Sequence, residues 1–163
     1  LQLLQLQGLA RLSSPLWRTT WDVGDNIAYN PPPFTDIVQT MKHLVIQFSS
    51  HGVKNNTPLP PAECFIDCRG VPDPSRIVGF MQGTGDNPIL QEYVEQNMDV
   101  GPYLRLLNDH FSRLITRKGA GHEFDKPFRV VTMCAHGIHR SRAMKHILSK
   151  HLIARGFEHV EVK

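Results

Sequence analysis

A strand that runs straight into a glycine-bearing turn and then into an amphipathic helix leaves this part of the chain few options. Phe128–Met133 carries Val130 and Val131 at its centre, and Cys134-Ala135-His136-Gly137-Ile138-His139-Arg140-Ser141 follows as a loop. Residues 140–155 then place Met144, Ile147, Leu148 and Leu152 at helical spacing, with Gly156 as a fitting stop. A turn of this kind leaves several backbone N–H groups aimed at one spot, at the positive end of the helix dipole, and so attracts an anion. Gly137 lets the loop curl around phosphate oxygens, and the planar fork of Arg140 can bind two of them at once. Ser141 can donate either to the anion or to the sulfur of Cys134, whose pKa the same donors lower. The bland alternative is an ordinary buried cysteine beside a surface arginine.

Within the loop, His139 adjoins Arg140 and can donate to the same anion. The direction of His136 is not legible in the sequence, and Ala135 and Ile138 enter the candidate site through their amides. His146, His151 and His159 read as surface or packing residues. A second candidate cluster, Asp67-Cys68-Arg69, closes an earlier strand. In α/β sheets ligands bind beyond the carboxyl ends of strands, where both clusters would lie. Asp67 can accept a hydrogen bond from a ligand, or pair with Arg69 or Arg140 to shape the site.

The other elements place these motifs. Leu44, Val45 and Ile46 form an apolar run in a strand expected over 43–48, and such runs suit strands covered on both faces. His51-Gly52 is expected to break it. A second strand is expected over 63–68, then a loop over 69–87 punctuated by Pro72, Pro74, Gly79, Gly83 and Gly85. Helices are expected over 88–97 and 102–117, the latter with Leu104, Leu107, Phe111 and Leu114 on one face, and a short strand over 160–162. The alternation points to an α/β fold with a compact, mostly parallel sheet of about four strands flanked by helices. Residues 41–163 form the domain, and residues 1–40 read as an extended N-terminal arm. Leu1, Leu4, Leu9 and Leu12 would fit a short helix there, Pro31-Pro32-Pro33 interrupts regular structure, and Trp17 and Trp21 would pack on the body or on a partner.

Composition narrows the setting. Hydrophobic residues are 40% of the 163 and charged ones 20%, enough for a core and against wholesale disorder. No apolar run approaches the roughly 18 residues that span a bilayer, so membrane insertion is not expected. Of the three cysteines, Cys64 and Cys68 would sit about 13 Å apart along a strand, too far for one metal ion, and read as buried small hydrophobes. No metal or cofactor is expected, and a reducing, intracellular, cytoplasmic setting is the simplest. Residues 1–20, with Arg11, Arg18, Ser13 and Ser14 but no acidic residue, also resemble the remnant of a mitochondrial or plastid targeting segment. An arm packing on a larger assembly would look the same. Up to Leu104 there are 6 basic and 10 acidic residues; from Arg105 onward there are 12 and 5. That basic half suits an anionic partner such as RNA, or is a solvated helix face.

Several of these segments resemble the C-terminal domain family of the RNase adaptor protein RapZ. Phe65-Ile66-Asp67-Cys68-Arg69-Gly70-Val71-Pro72-Asp73-Pro74 is similar to its aspartate–arginine–proline stretch. Thr84-Gly85-Asp86-Asn87-Pro88 falls at nearly its spacing, and Phe48-Ser49-Ser50-His51-Gly52 fits its first strand and glycine turn. The loop matches the family's pattern at Cys134, Gly137, His139, Arg140 and Ser141. The resemblance covers roughly residues 41–163. It implies a compact α/β domain that binds a phosphorylated ligand, glucosamine-6-phosphate in the bacterial adaptor, and takes part in RNA binding. Asp67, Cys134, Gly137, His139 and Arg140, with neighbouring loop amides, are the ligand residues it implies. The chain departs from the pattern at Ser75, where a ligand-site histidine is usual, at Met81 in place of an arginine, and at Ala135, His136 and Ile138. These 163 residues contain no counterpart of the kinase-like domain that precedes the module in the adaptor, so the adaptor's full function is not expected of them.

Three functions fit. The leading one is a non-catalytic module that binds a phosphorylated metabolite, or a phosphate or sulfate anion. The second is a structural or RNA-contacting subunit with a vestigial site. The third is a cysteine-dependent phosphatase, in which Cys134 attacks phosphorus, Arg140 holds the transition-state oxygens, and Asp67, Asp73 or Asp86 protonates the leaving group.

Overall fold

The structure, a computed structural model, describes residues 32–76, 83–118 and 126–163. The expected helix near the N-terminus, the targeting-like segment, both tryptophans and Met81 lie outside the described residues.

Among the described residues, eight elements carry the fold. They are α1 (Phe34–Met41), β1 (Ile46–Gly52), β2 (Cys64–Asp67), α2 (Pro88–Gln96), α3 (Gly101–Lys118), β3 (Phe128–Cys134), α4 (Arg140–Ala154) and β4 (Val160–Val162). Short 3₁₀ turns follow β1 at Val53–Asn55 and interrupt the loop after β2 at Pro74–Arg76. The strands form one sheet in the order β2-β3-β1-β4, and every pairing is parallel. This is the α/β architecture expected of alternating strands and helices.

Local chemistry explains several boundaries. Asn87 caps α2 by accepting the N–H of Ile89 at 2.9 Å, with Pro88 in the first turn where its missing N–H costs nothing. The Asp99 carboxylate takes the Gly101 N–H at 2.8 Å where α3 begins. Gly156, at φ +100°, turns the chain out of α4. α1 was not anticipated, because the proline run argues against regular structure. Yet Pro33 stands just before the first turn, where its carbonyl accepts the Asp36 N–H at 3.0 Å. The helix lies inside the range read as an arm, but it buries Ile37, Val38 and Met41 in the common core.

The described helices cover one face of the sheet. From β2 to β3, and from β3 over β1 to β4, the chain moves across the sheet in the same direction. Two right-handed crossovers in one direction place their helices on the same side. Burial alternates accordingly. Ile46, Phe48, Cys64, Ile66, Val130 and Cys134 are buried with the helices' apolar residues, whereas Gln47, Ser49, Phe65, Asp67 and Met133 are not. The expectation of strands covered on both faces is therefore corrected: it fits only the centre of β3, where Val130, Val131 and Thr132 are all buried. β1 also starts later than expected and continues through His51 and Gly52, because β3 pairs along it to the register Gly52–Cys134. Cys64 and Cys68 are buried, as expected of small hydrophobes, and both are free thiols.

Candidate functional site

The loop from Cys134 to Ser141 leaves the carboxyl end of the central strand β3 and enters α4. Its carbonyls are drawn outward by donors from three separate segments. The Lys54 N–H takes the Ala135 carbonyl at 2.9 Å, and Asn55 Nδ2 the His136 carbonyl at 3.3 Å. Arg142 Nε takes the Gly137 carbonyl at 3.1 Å, and the Gly85 N–H the Ile138 carbonyl at 2.9 Å. A peptide whose carbonyl faces out presents its N–H inward, so the loop curls with its donors toward the middle. Gly137 has φ +73°, and a Cβ there would meet the Gly52 N at 2.6 Å. A Cβ on Gly52 would in turn strike the His136 backbone. The two glycines let the end of β1 and the loop touch backbone to backbone.

Cys134 lies at the floor of this curl. Its Sγ is 3.2 Å from both the Ser141 hydroxyl and the Gly137 N–H. Burial would raise the thiol, but hydrogen bonds from the Ser141 hydroxyl and amide, and from the amides of Gly137 and His136, outweigh it. The net result is a thiol held below its ordinary range. His139 occupies the N-cap of α4 without a side-chain cap, which leaves the first-turn N–H groups to other acceptors. Its Nε2 is buried and has no partner among the described residues. His136 and Ile138 are exposed on the rim.

Arg140 reaches back over the end of β2. Its Nη1 donates to the Arg69 carbonyl, and its Nε lies 3.9 Å from Asp73 Oδ2. Asp67 points to the less covered face of the sheet and forms a two-pronged pair with Arg69, whose Nε and Nη2 sit 2.9 and 2.6 Å from Oδ2. Of the two ion pairs open to Asp67 in the sequence, the one with Arg69 is formed, and it holds the Asp67 carboxyl below its ordinary range. Asp67 and Arg69 thus flank Arg140 at the mouth of the Cys134–Ser141 loop.

Sequence reasoning missed the clamp behind the loop. Asp86 accepts from Arg142 Nη1 at 2.8 Å and from His146 Nε2 at 2.9 Å, with Lys145 Nζ at 3.4 Å. Partial burial of Asp86 opposes ionisation, but these three partners from the start of α4 outweigh it and hold its carboxyl well below the usual range. Gly85 beside it admits no side chain, since a Cβ would strike the His139 carbonyl and the Ala143 N. The stretch Thr84–Pro88 was visible as a motif, but its role depends on contacts about 50 residues away in sequence, such as that from Asp86 to Arg142. Asp73 was equally hidden. Its Oδ1 accepts the Ser75 N–H and hydroxyl at 3.1 and 2.7 Å, leaving Oδ2 toward Arg140.

Two other features lie away from the loop. A cavity of about 350 Å³ opens at the far end of α4, lined by Phe34, Leu104, Arg105, Asn108 and Arg155. His43, Glu158 and His159 bring ligand-type atoms within 4.8 Å of one another at the opposite end of the sheet, all three exposed. No described helix is long and apolar enough to cross a membrane.

Fold and loop together define a class: a parallel α/β domain with a Cys-x₅-Arg-Ser loop between its central strand and the following helix. Within that class the chain belongs to the RapZ C-terminal domain family, whose profile matches residues 44–163. It is similar to a nucleotide-binding protein of Alkaliphilus oremlandii (strain OhILAs), with 30% identity over 115 residues. The matched stretch covers 71% of this chain and 39% of that relative, so the chain spans about two fifths of the relative's length.

Proposed function

We propose that the domain is a non-catalytic binding module for a phosphorylated small molecule of sugar-phosphate type, held in the loop from Cys134 to Ser141. The observation that carries this reading is the set of four outward-tied carbonyls, Ala135 to Ile138, above an uncapped helix N-terminus. An inward ring of N–H groups beside a helix dipole and one arginine fork suits a tetrahedral dianion. The relative's description as a nucleotide-binding protein fits a phosphorylated ligand, although that property can reside in the part of the relative this chain does not span.

The lowered Cys134 thiol favours the phosphatase reading, because a thiolate is the nucleophile such chemistry needs. The aspartates argue against it. A general acid must still hold its proton near neutral pH, and Asp67, Asp73 and Asp86 are all held below the ordinary carboxylate range. The RNA-contacting reading draws on the basic second half of the chain. Part of that charge is engaged internally: Arg129 with Glu63, and Arg142 and Lys145 with Asp86.

Phosphorus NMR with a panel of sugar and aryl phosphates tests the proposal. One ligand's signal should broaden or shift with no growth of inorganic phosphate. Arg140→Ala should weaken that ligand by roughly ten- to a hundredfold, the equivalent of about 1.5–3 kcal/mol for a charge-assisted pair. A growing free-phosphate signal that disappears in Cys134→Ser would establish the phosphatase instead. Unchanged spectra with every ligand would remove the binding reading.

A further inference from the structure

Cys68 follows the last residue of β2, and the β2–β3 register pairs Asp67 with Met133. One step further along the ladder, Cys68 stands opposite Cys134, and the Cys68 N–H donates to the Met133 carbonyl at 2.7 Å, so the alignment persists to that point. Neighbouring strands lie about 4.8 Å apart, inside the roughly 4.4–6.8 Å that Cα atoms span in a disulfide. Residues opposite each other in a parallel ladder point to the same face. Here that is the helix-covered face, where both sulfurs are free and buried. Cys64, four residues back, is aligned instead with Val130 and faces no second sulfur in the ladder.

The two thiols differ in chemistry. Cys134 is stabilised as a thiolate by the loop's donors and lies beneath an exposed rim. Burial pushes the Cys68 thiol up, and its Sγ lies 3.5 Å from the Ile66 carbonyl, a place for the S–H proton. One sulfur is ready to attack an oxidant, and the other is a protonated neighbour that can capture the product.

We propose that Cys134 and Cys68 form a peroxide-responsive modification site that closes as a disulfide across β2 and β3. The Cys134 thiolate attacks one oxygen of hydrogen peroxide. An S–O bond forms, the O–O bond breaks, and hydroxide leaves, which gives the sulfenic acid. The Cys68 sulfur then attacks Cys134 Sγ. An S–S bond forms, the S–O bond breaks, and the departing hydroxide takes the Cys68 proton as water. The cysteine pair loses two electrons and the peroxide gains them. Because Sγ moves toward Cys68, it leaves the Gly137 N–H and the Ser141 hydroxyl that hold the loop's curl. This consequence rests on the loop being the phosphate site; the oxidation chemistry does not.

The test is titration of the full chain with hydrogen peroxide, followed by alkylation and non-reducing peptide mapping. The expected product is a peptide pair joined through Cys68 and Cys134, lighter by two hydrogens and restored by dithiothreitol. Cys68→Ala and Cys68→Ser should each give instead a Cys134 sulfenic acid that dimedone traps, and Cys64→Ala should leave the disulfide unchanged. Recovery of reduced Cys68 beside unmodified or over-oxidised Cys134 would overturn the proposal. So would a disulfide through Cys64. Phosphorus NMR of the oxidised protein separates the two claims. A disulfide with ligand affinity down roughly tenfold or more supports both. A disulfide in a protein that binds no phosphate in either state keeps the modification site and removes the function proposed above. Ligand binding without a disulfide does the reverse.

Discussion

At the residue scale, hydrogen bonds set the ionisation of two groups against burial. The Cys134 thiol is lowered although the side chain is buried, because Ser141, Gly137 and His136 all direct donors at one sulfur. Removing the hydroxyl should therefore matter more than its size suggests. In Ser141→Ala, the midpoint of the iodoacetamide alkylation rate against pH should move up toward the ordinary value of about 8.5. An unmoved midpoint would show that the amides suffice. Asp86 is the acidic counterpart, with three cationic or imidazole partners and a side chain 38% exposed. Exposure screens such pairs, so Asp86→Asn should cost about 1 kcal/mol at pH 7 by urea denaturation. Its folded pKa lies below the unfolded value of about 3.9, so the stabilisation is present above that pH and is lost as pH falls below it. The gap between parent and Asp86→Asn should accordingly narrow at pH 3; a constant gap would mean that lost packing, not charge, is responsible.

At the element scale, the loop is held by its neighbours more than by its own sequence. The turn after β1 supplies two ties to loop carbonyls, the Thr84–Pro88 stretch and the first turn of α4 one each, and strand β3 leads into the loop. Gly85 is the tightest of these fits. Gly85→Ala should lower stability by about 1–3 kcal/mol, since its Cβ has no space against the His139 carbonyl. Amide chemical shifts should change most over residues 136–143, and shifts confined to residues 83–88 would disprove the coupling. The strand–loop–helix unit was legible in the sequence because its signals are local: apolar run, glycine, helical period. The role of the Thr84–Pro88 stretch was not, since a hydrogen bond from Arg142 to Asp86 leaves no periodic trace in either segment.

At the scale of the whole molecule, the described helices form one layer on one face of a four-stranded parallel sheet. α1 belongs to that layer although it lies before the family match at residue 44. Ile37 and Met41 are fully buried in the core, and Phe34 packs edge-on against Phe157 with ring centroids 6.0 Å apart. Met41→Ala should cost about 2–5 kcal/mol in urea denaturation, the range for a fully buried methionine. A loss under about 1 kcal/mol would mean that α1 is a detachable part of an arm. Part of the charge asymmetry is offset at this scale, because Arg129, Arg142 and Lys145 pair with carboxylates on other segments.

The sequence by itself determined the fold class, most of the element boundaries and the strand–loop–helix unit that carries Cys134 to Ser141. Each is written in short-range patterns: apolar runs, a helical period, caps, and a glycine followed by arginine and serine. It also carried the family, through three motifs in order. Only the tertiary structure decided which side of the sheet is covered, that Asp67 pairs with Arg69, that Asp86 clamps α4, and that Cys68 aligns with Cys134. Those outcomes depend on strand order and crossover hand, which bring together residues tens of positions apart. No local spacing encodes them.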